Sequence, residues 1–180
     1  TKDMVINALA TAGVKDAKVK VAAPFNVSGT AALTGILKGF ENATGSTISE
    51  EEKEIANEEI AKTGELGQDI GKDEATELIK KVKEEVVENK VKDPEEIKQI
   101  VQETAKEINI TLTDAQIQKI IELMQKIANL DLDLGQIKAQ LKNISDKLGK
   151  IGENSEEVKS FFGKIAEFFR RLFEKLSSKE

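Results

Sequence analysis

Ser28-Gly29-Thr30 stands where an alternating, strand-like segment gives way to a helical one, so its free amides and hydroxyls could contact an anion. The lysine and glycine spacing of a phosphate-binding loop are missing, and ordinary capping by Ser28 accounts for the same residues. Asp131-Leu132-Asp133-Leu134-Gly135 has the outline of a calcium loop. It lacks an oxygen ligand at the fifth position, and its twelfth is Lys142 instead of a bidentate glutamate, which rejects that reading. As a true amino terminus, Thr1 could serve as a nucleophile with its own amine as base. Because the chain opens on threonine and not methionine, we read Thr1 as a processing or cloning boundary, and a missing export signal then carries no information. Hydrolysis by carboxylates needs two acids in one cleft with separated pKa values. The chain has 33 acids, but no spacing gathers two of them, and no Ser-x-x-Lys supports a serine–lysine pair.

The residue types that are missing exclude more. There is no histidine and no cysteine, so thiol nucleophiles, disulfides, imidazole bases and the usual zinc and iron ligand sets are ruled out, and no cofactor is expected. Cysteine-free chains are common among proteins exported by Gram-positive bacteria and unremarkable among small cytosolic ones. The net charge of −6 argues against nucleic acid as a partner. That charge is uneven: residues 1–49 sum to +2, 50–96 to −9, 97–154 to zero and 155–180 to +1. The acidic stretch reads first as solvated helix faces.

The elements that would position any site are mostly helical. Residues 3–12 read as a short helix closed by Gly13. Asp16–Ala22 alternates, with Ala17, Val19 and Val21 on one side and Lys18 and Lys20 on the other, and is the one clear strand. A lone strand cannot satisfy its backbone, so its partners must be less obvious segments of this chain, a second copy or residues before Thr1, the last being preferred. A helix rich in small residues follows from Ser28 to Gly45, with Leu33, Ile36, Leu37 and Phe40 on one face. Ser49 with Glu52 makes a capping box, residues 64–71 read as a glycine-rich connection, and 73–90 resume as a helix with Leu78, Ile79, Val82 and Val86 on one side. Asp93-Pro94-Glu95-Glu96 starts the next helix, and Thr113 with Gln116 the one after.

From Ile127 to Ile151 apolar residues recur at alternating threes and fours. Leu134, Ile137, Leu141, Ile144 and Leu148 could then mediate self-association. The preferred alternative is an intramolecular hairpin with 113–130, broken near 131–134. Ser155 caps a last helix that carries five of the seven phenylalanines. Phe161, Phe162, Ile165, Phe168, Phe169, Leu172, Phe173 and Leu176 share one arc, and lysines, arginines and two glutamates the other. This face could pack on the preceding helices, dock in a partner or lie on a membrane.

Residues 1–36, and above all Ala23-Pro24-Phe25 followed by Val27-Ser28-Gly29-Thr30-Ala31-Ala32-Leu33-Thr34-Gly35, resemble the YpuA-like family of exported Firmicutes proteins of unknown function. Residues 111–134 are similar to that family as well. The resemblance implies export, a cell-envelope location and a β-rich region ahead of Thr1, and brings no catalytic residues.

The expectation is a mainly α (α+β) protein of antiparallel helices. A small N-terminal α/β piece with one clear strand (1–48) precedes a helical body (49–152) and an amphipathic C-terminal helix (153–180). The function expected is that of a non-catalytic extracytoplasmic structural or interaction protein of a Gram-positive cell envelope. A peripheral membrane-surface protein anchored by the phenylalanine-rich helix is the alternative, and an enzyme using carboxylates or hydroxyls the third reading.

Overall fold

A computed structural model of the chain describes residues 1–14, 17–21, 27–130, 132 and 135. Among these residues the chain forms α1 (Lys2–Thr11), α2 (Gly29–Thr44), α3 (Glu50–Ile70), α4 (Lys72–Glu88), α5 (Pro94–Glu107) and α6 (Asp114–Asn129).

The starts of these helices are dictated locally, because the first amides of a helix have no partner within it. Ser28 Oγ accepts from the Ala31 amide at 3.1 Å. Ser49 Oγ accepts from the Glu52 amide at 3.1 Å, while Glu52 Oε2 accepts from the Ser49 amide at 2.8 Å. Asp93 Oδ1 takes the amides of Glu95 and Glu96, and Thr113 and Gln116 close a second capping box. Thr1 does the same for α1, its Oγ1 accepting from Met4 N. Gly13 and Gly45 follow α1 and α2 with positive φ, as a left-handed helix end requires.

Packing is organised around α3 and α4. Helix α3 lies against α1, α2, α4 and α6, and α4 against α1, α3, α5 and α6. Leu78, Ile79, Val82 and Val86 of α4 are buried, as their spacing predicts, and meet the buried faces of α5 and α6 that carry Ile97, Val101, Leu123, Met124 and Ile127. Burial of each such side chain stabilises the fold by about 1.5–3 kcal/mol. A second cluster joins Met4, Ala8 and Leu9 of α1, Leu33 and Leu37 of α2, and Ala56 and Ile60 of α3.

Two expectations are corrected. The strand predicted at Asp16–Ala22 is not seen: no strand occurs among the described residues, and 17–21 have no regular secondary structure and are exposed. The alternation there is real, but among the described residues no second strand pairs with it to complete a ladder, so the described fold is helical and not α+β. The glycine-rich connection predicted at 64–71 is a helix as far as Ile70. Gly64 and Gly67 serve close approach: a β-carbon on Gly64 would sit 3.4 Å from Met4 Cε, and one on Gly67 only 3.1 Å from Lys72 Cα. The turn between α3 and α4 is made by Gly71 alone, at φ +100 and ψ 142. Side chains rarely adopt that backbone, so Gly71→Ala is expected to cost about 1–2 kcal/mol. Urea unfolding followed by far-UV circular dichroism measures it, and an unchanged midpoint would refute it.

Helix α6 ends at Asn129, with Leu130 turning to extended backbone, so 113–151 is not one uninterrupted helix. No helix among the described residues is long and apolar enough to cross a membrane.

Candidate functional site

Two places concentrate chemistry or exposed apolar surface. The first is a buried polar cluster between α1, α3 and α4. Lys83 Nζ donates to Glu59 Oε1 at 2.7 Å, to the Asn7 carbonyl at 2.8 Å and to Thr11 Oγ1 at 3.1 Å. The Thr11 hydroxyl reaches Glu59 Oε2, Thr63 Oγ1 donates to the Glu59 carbonyl, and Asn7 Nδ2 donates to the Thr76 carbonyl. Lys83 and Glu59 are each 1% exposed. The three N–H bonds of the ammonium and both oxygens of the carboxylate are engaged, and the ammonium has no proton left to offer. What this arrangement can do is hold three helices in register, not process a substrate.

Sequence reasoning missed this cluster, although a signal existed. Glu59 and Thr63 fall on the same stripe as Ile55, Ala56, Ile60 and Leu66, and Lys83 falls with Ile79, Val82 and Val86. Opposite charges on the apolar stripes of consecutive helices mark a buried pair.

The second place is a groove of about 840 Å³ beside α2. One wall is the segment 17–21 with Val27, and the other is the face of α2 carrying Ala32, Gly35, Ile36, Gly39 and Phe40. Val19, Val21 and Val27 are 39%, 54% and 44% exposed, and all three line this groove. Ile36 and Phe40 are partly buried and join the floor to the α1–α2–α3 cluster beneath. Lys18 and Lys20 are the charged residues of the lining among the described residues.

Elsewhere the surface is closed by ion pairs. Lys119–Glu65 at 2.6 Å and Lys126–Glu58 at 2.7 Å tie α6 to α3. The hydrogen bond from Lys119 holds the Glu65 carboxyl below its ordinary range. Burial raises Glu58, but hydrogen bonds from Lys126 and Lys62 outweigh it and lower its carboxyl. The void beside the Lys119–Glu65 pair, lined by Leu66, Ile79, Ile120 and Leu123 among others, measures about 40 Å³, room for water but not for a metabolite. Burial pushes the Lys80 ammonium down, against the pull of Glu84 and Glu77.

Of the residues singled out from sequence, Ser28 and Thr30 are placed at the start of α2. Ser28 Oγ caps the Ala31 amide and stands 3.0 Å from Thr30 Oγ1, so the hydroxyls satisfy groups of their own helix. Leu134, Ile137, Leu141, Ile144 and Leu148 lie outside the described residues, as do Phe161, Phe162, Ile165, Phe168, Phe169, Leu172, Phe173 and Leu176.

Comparison with known proteins agrees with the resemblance seen in the sequence. A family profile described as a protein of unknown function (DUF1002) matches residues 1–144. An uncharacterized protein YpuA of Bacillus subtilis (strain 168) is 46% identical over 179 residues, covering 99% of this chain and 61% of its own length. The chain therefore spans about three-fifths of that relative. No solved structure matches. With the family match running over all six helices, this chain belongs to the DUF1002 family of proteins of unknown function.

Proposed function

We propose that the chain is a non-catalytic interaction protein of the extracytoplasmic space, and that the groove beside α2 is its contact face. The observation that carries this reading is the gathering of Val19, Val21 and Val27 along one concave surface, while the most deeply buried charged pair is sealed from solvent. Exposed apolar surface gathered in one place marks an interaction site more often than a scattering of single residues does. An extracytoplasmic location is supported by the resemblance to exported proteins and by a chain without cysteine.

Two measurements test the reading. The full-length gene product, epitope-tagged and expressed in Bacillus subtilis, is expected to be degraded when protease is added to intact protoplasts. Protection until lysis would remove the location. Turnover of a small molecule by purified protein, abolished by replacing one acid or hydroxyl, would replace interaction with catalysis. A second reading, attachment to a membrane surface, rests on the separation of apolar and charged residues along 155–178. Flotation with anionic liposomes, with and without 155–180, decides it; equal flotation of the two forms ends it.

A further inference from the structure

Resting on the interaction reading above, we propose that the groove beside α2 receives an acidic amphipathic helix of a partner protein, laid along the row Ala31, Gly35, Gly39 and Ala43. These residues recur at every fourth position and so stand above one another on one face of α2. All four are exposed, and all four line the groove. A β-carbon on Gly35 or Gly39 would meet no atom within 4 Å. The packing around α2 among the described residues gives neither glycine a purpose, although glycine is the poorest helix former after proline. A row of small residues does supply room for the backbone of a second helix to come close. The row extends for about 18 Å along the axis, the length of about three turns of an incoming helix.

Charge selects the sign of the occupant. Among the described residues no carboxylate lines the groove, in a protein of net charge −6, and the lining carries Lys18 and Lys20. Among the described residues neither lysine has a carboxylate partner, whereas Lys38, on the same helix, lies 3.9 Å from Glu41. An incoming helix with apolar residues toward Ile36, Phe40 and the three valines, and acids toward the two lysines, satisfies both features. A second copy of this chain would set lysines against lysines across a two-fold axis. A lipid surface could meet Val19, Val21 and Val27 but would leave the concave row of small residues from Ala31 to Ala43 unfilled.

The test uses the full chain and a fluorescein-labelled sixteen-residue helical peptide, with leucine and alanine on one face and glutamate on the other, beside a twin carrying lysine for glutamate. Fluorescence polarisation is expected to show saturable binding of the acidic peptide and at least about tenfold weaker binding of the twin. Gly35→Leu with Gly39→Leu fills open space and favours the helix, so it is expected to keep the circular dichroism spectrum and to weaken the acidic peptide by about tenfold or more. Lys18→Glu with Lys20→Glu is expected to weaken it similarly. Equal affinity for the two peptides, or acidic-peptide affinity unchanged by the filled row, overturns the proposal. Dimerisation in sedimentation, or binding to anionic vesicles, that disappears with the filled row overturns the occupant but leaves the groove as a contact face. Indifference of every probe to the filled row removes the groove itself.

Discussion

Lys83→Met is expected to remove about 3–5 kcal/mol of folding free energy, the cost of leaving one member of a buried ion pair without the other. Glu59 would keep only the Thr11 hydroxyl at its side-chain oxygens, in a site where it is 1% exposed. The Asn7 carbonyl would also lose the ammonium that now stands 2.8 Å away. Because the chain has no tryptophan or tyrosine, urea unfolding has to be read by far-UV circular dichroism. The double variant Lys83→Met with Glu59→Met separates the pair's net value from the penalty of an orphaned charge. Two apolar residues of similar volume can match or exceed a buried pair, so the double variant is expected to recover most of the loss and to lie within about 1–2 kcal/mol of the parent. A double variant as unstable as Lys83→Met would mean that the pair itself, not the orphaned charge, supports the fold.

The reason for such a pair bears on how the fold is specified. Many buried residues at the junction of α1 with α3 and α4 are small or polar, among them Ala8, Ala56, Asn7, Thr11 and Thr63, although Met4, Leu9 and Ile60 also pack there. Small side chains tolerate sliding of one helix past another, since few large protrusions lock the register. A cation that must meet a carboxylate, a hydroxyl and a backbone carbonyl at once tolerates much less. The hypothesis that the pair gives register at some cost in stability predicts that the double variant folds with broader, less cooperative unfolding. A parent-like slope of the urea transition would refute it.

Much of the fold could be read from the sequence wherever the signal was local. Capping boxes at Ser49 and Thr113, the Asp-Pro start at 93–94 and the glycine ends at 13 and 45 depend on a few neighbouring residues, and each is realised. The failures come where distant residues decide. Alternation at 17–21 satisfies the strand pattern, but a strand exists only with a partner, and none lies beside it among the described residues. Gly64 and Gly67 have the composition of a loop, yet Met4 and Lys72 press on them, so tertiary contact overrides their low helix propensity. That α2 is rich in small residues is visible in the sequence; which side of the helix faces open space is not, because that depends on where α1 and α3 cover it. The buried pair escaped because each charge was read within its own amphipathic helix, and only the packing of α3 on α4 brings Glu59 to Lys83.

Glu85→Gln is expected to stabilise the fold above about pH 7 and to leave it nearly unchanged near about pH 4. Glu85 is half-buried on α4, and loss of hydration, followed by repulsion from Glu103, Glu88, Glu84 and Glu107, pushes its carboxyl from 4.5 up to about 7. A carboxyl with a raised folded pKa binds its proton more tightly in the native chain than in the unfolded one. Below about pH 4.5 both states hold the proton, and Glu85 takes nothing from stability. Between 4.5 and about 7 the unfolded chain ionises first, so the native state loses ground as pH rises, and above 7 the whole penalty is present. A shift of that size would correspond to about 3 kcal/mol, reduced toward about 2 kcal/mol because the group keeps partial contact with water. Glutamine retains the shape and removes the charge, so Glu85→Gln should recover about 2 kcal/mol at about pH 8. Glu41, held low chiefly by its hydrogen bond with Lys53, and Glu65, held low by Lys119, act in the other direction and weaken the fold as acid protonates them. They are common to both proteins, so the difference between variant and parent at each pH isolates Glu85. Equal stabilisation by Glu85→Gln at both pH values would show that side-chain packing, not ionisation among the acids of α4 and α5, sets the effect.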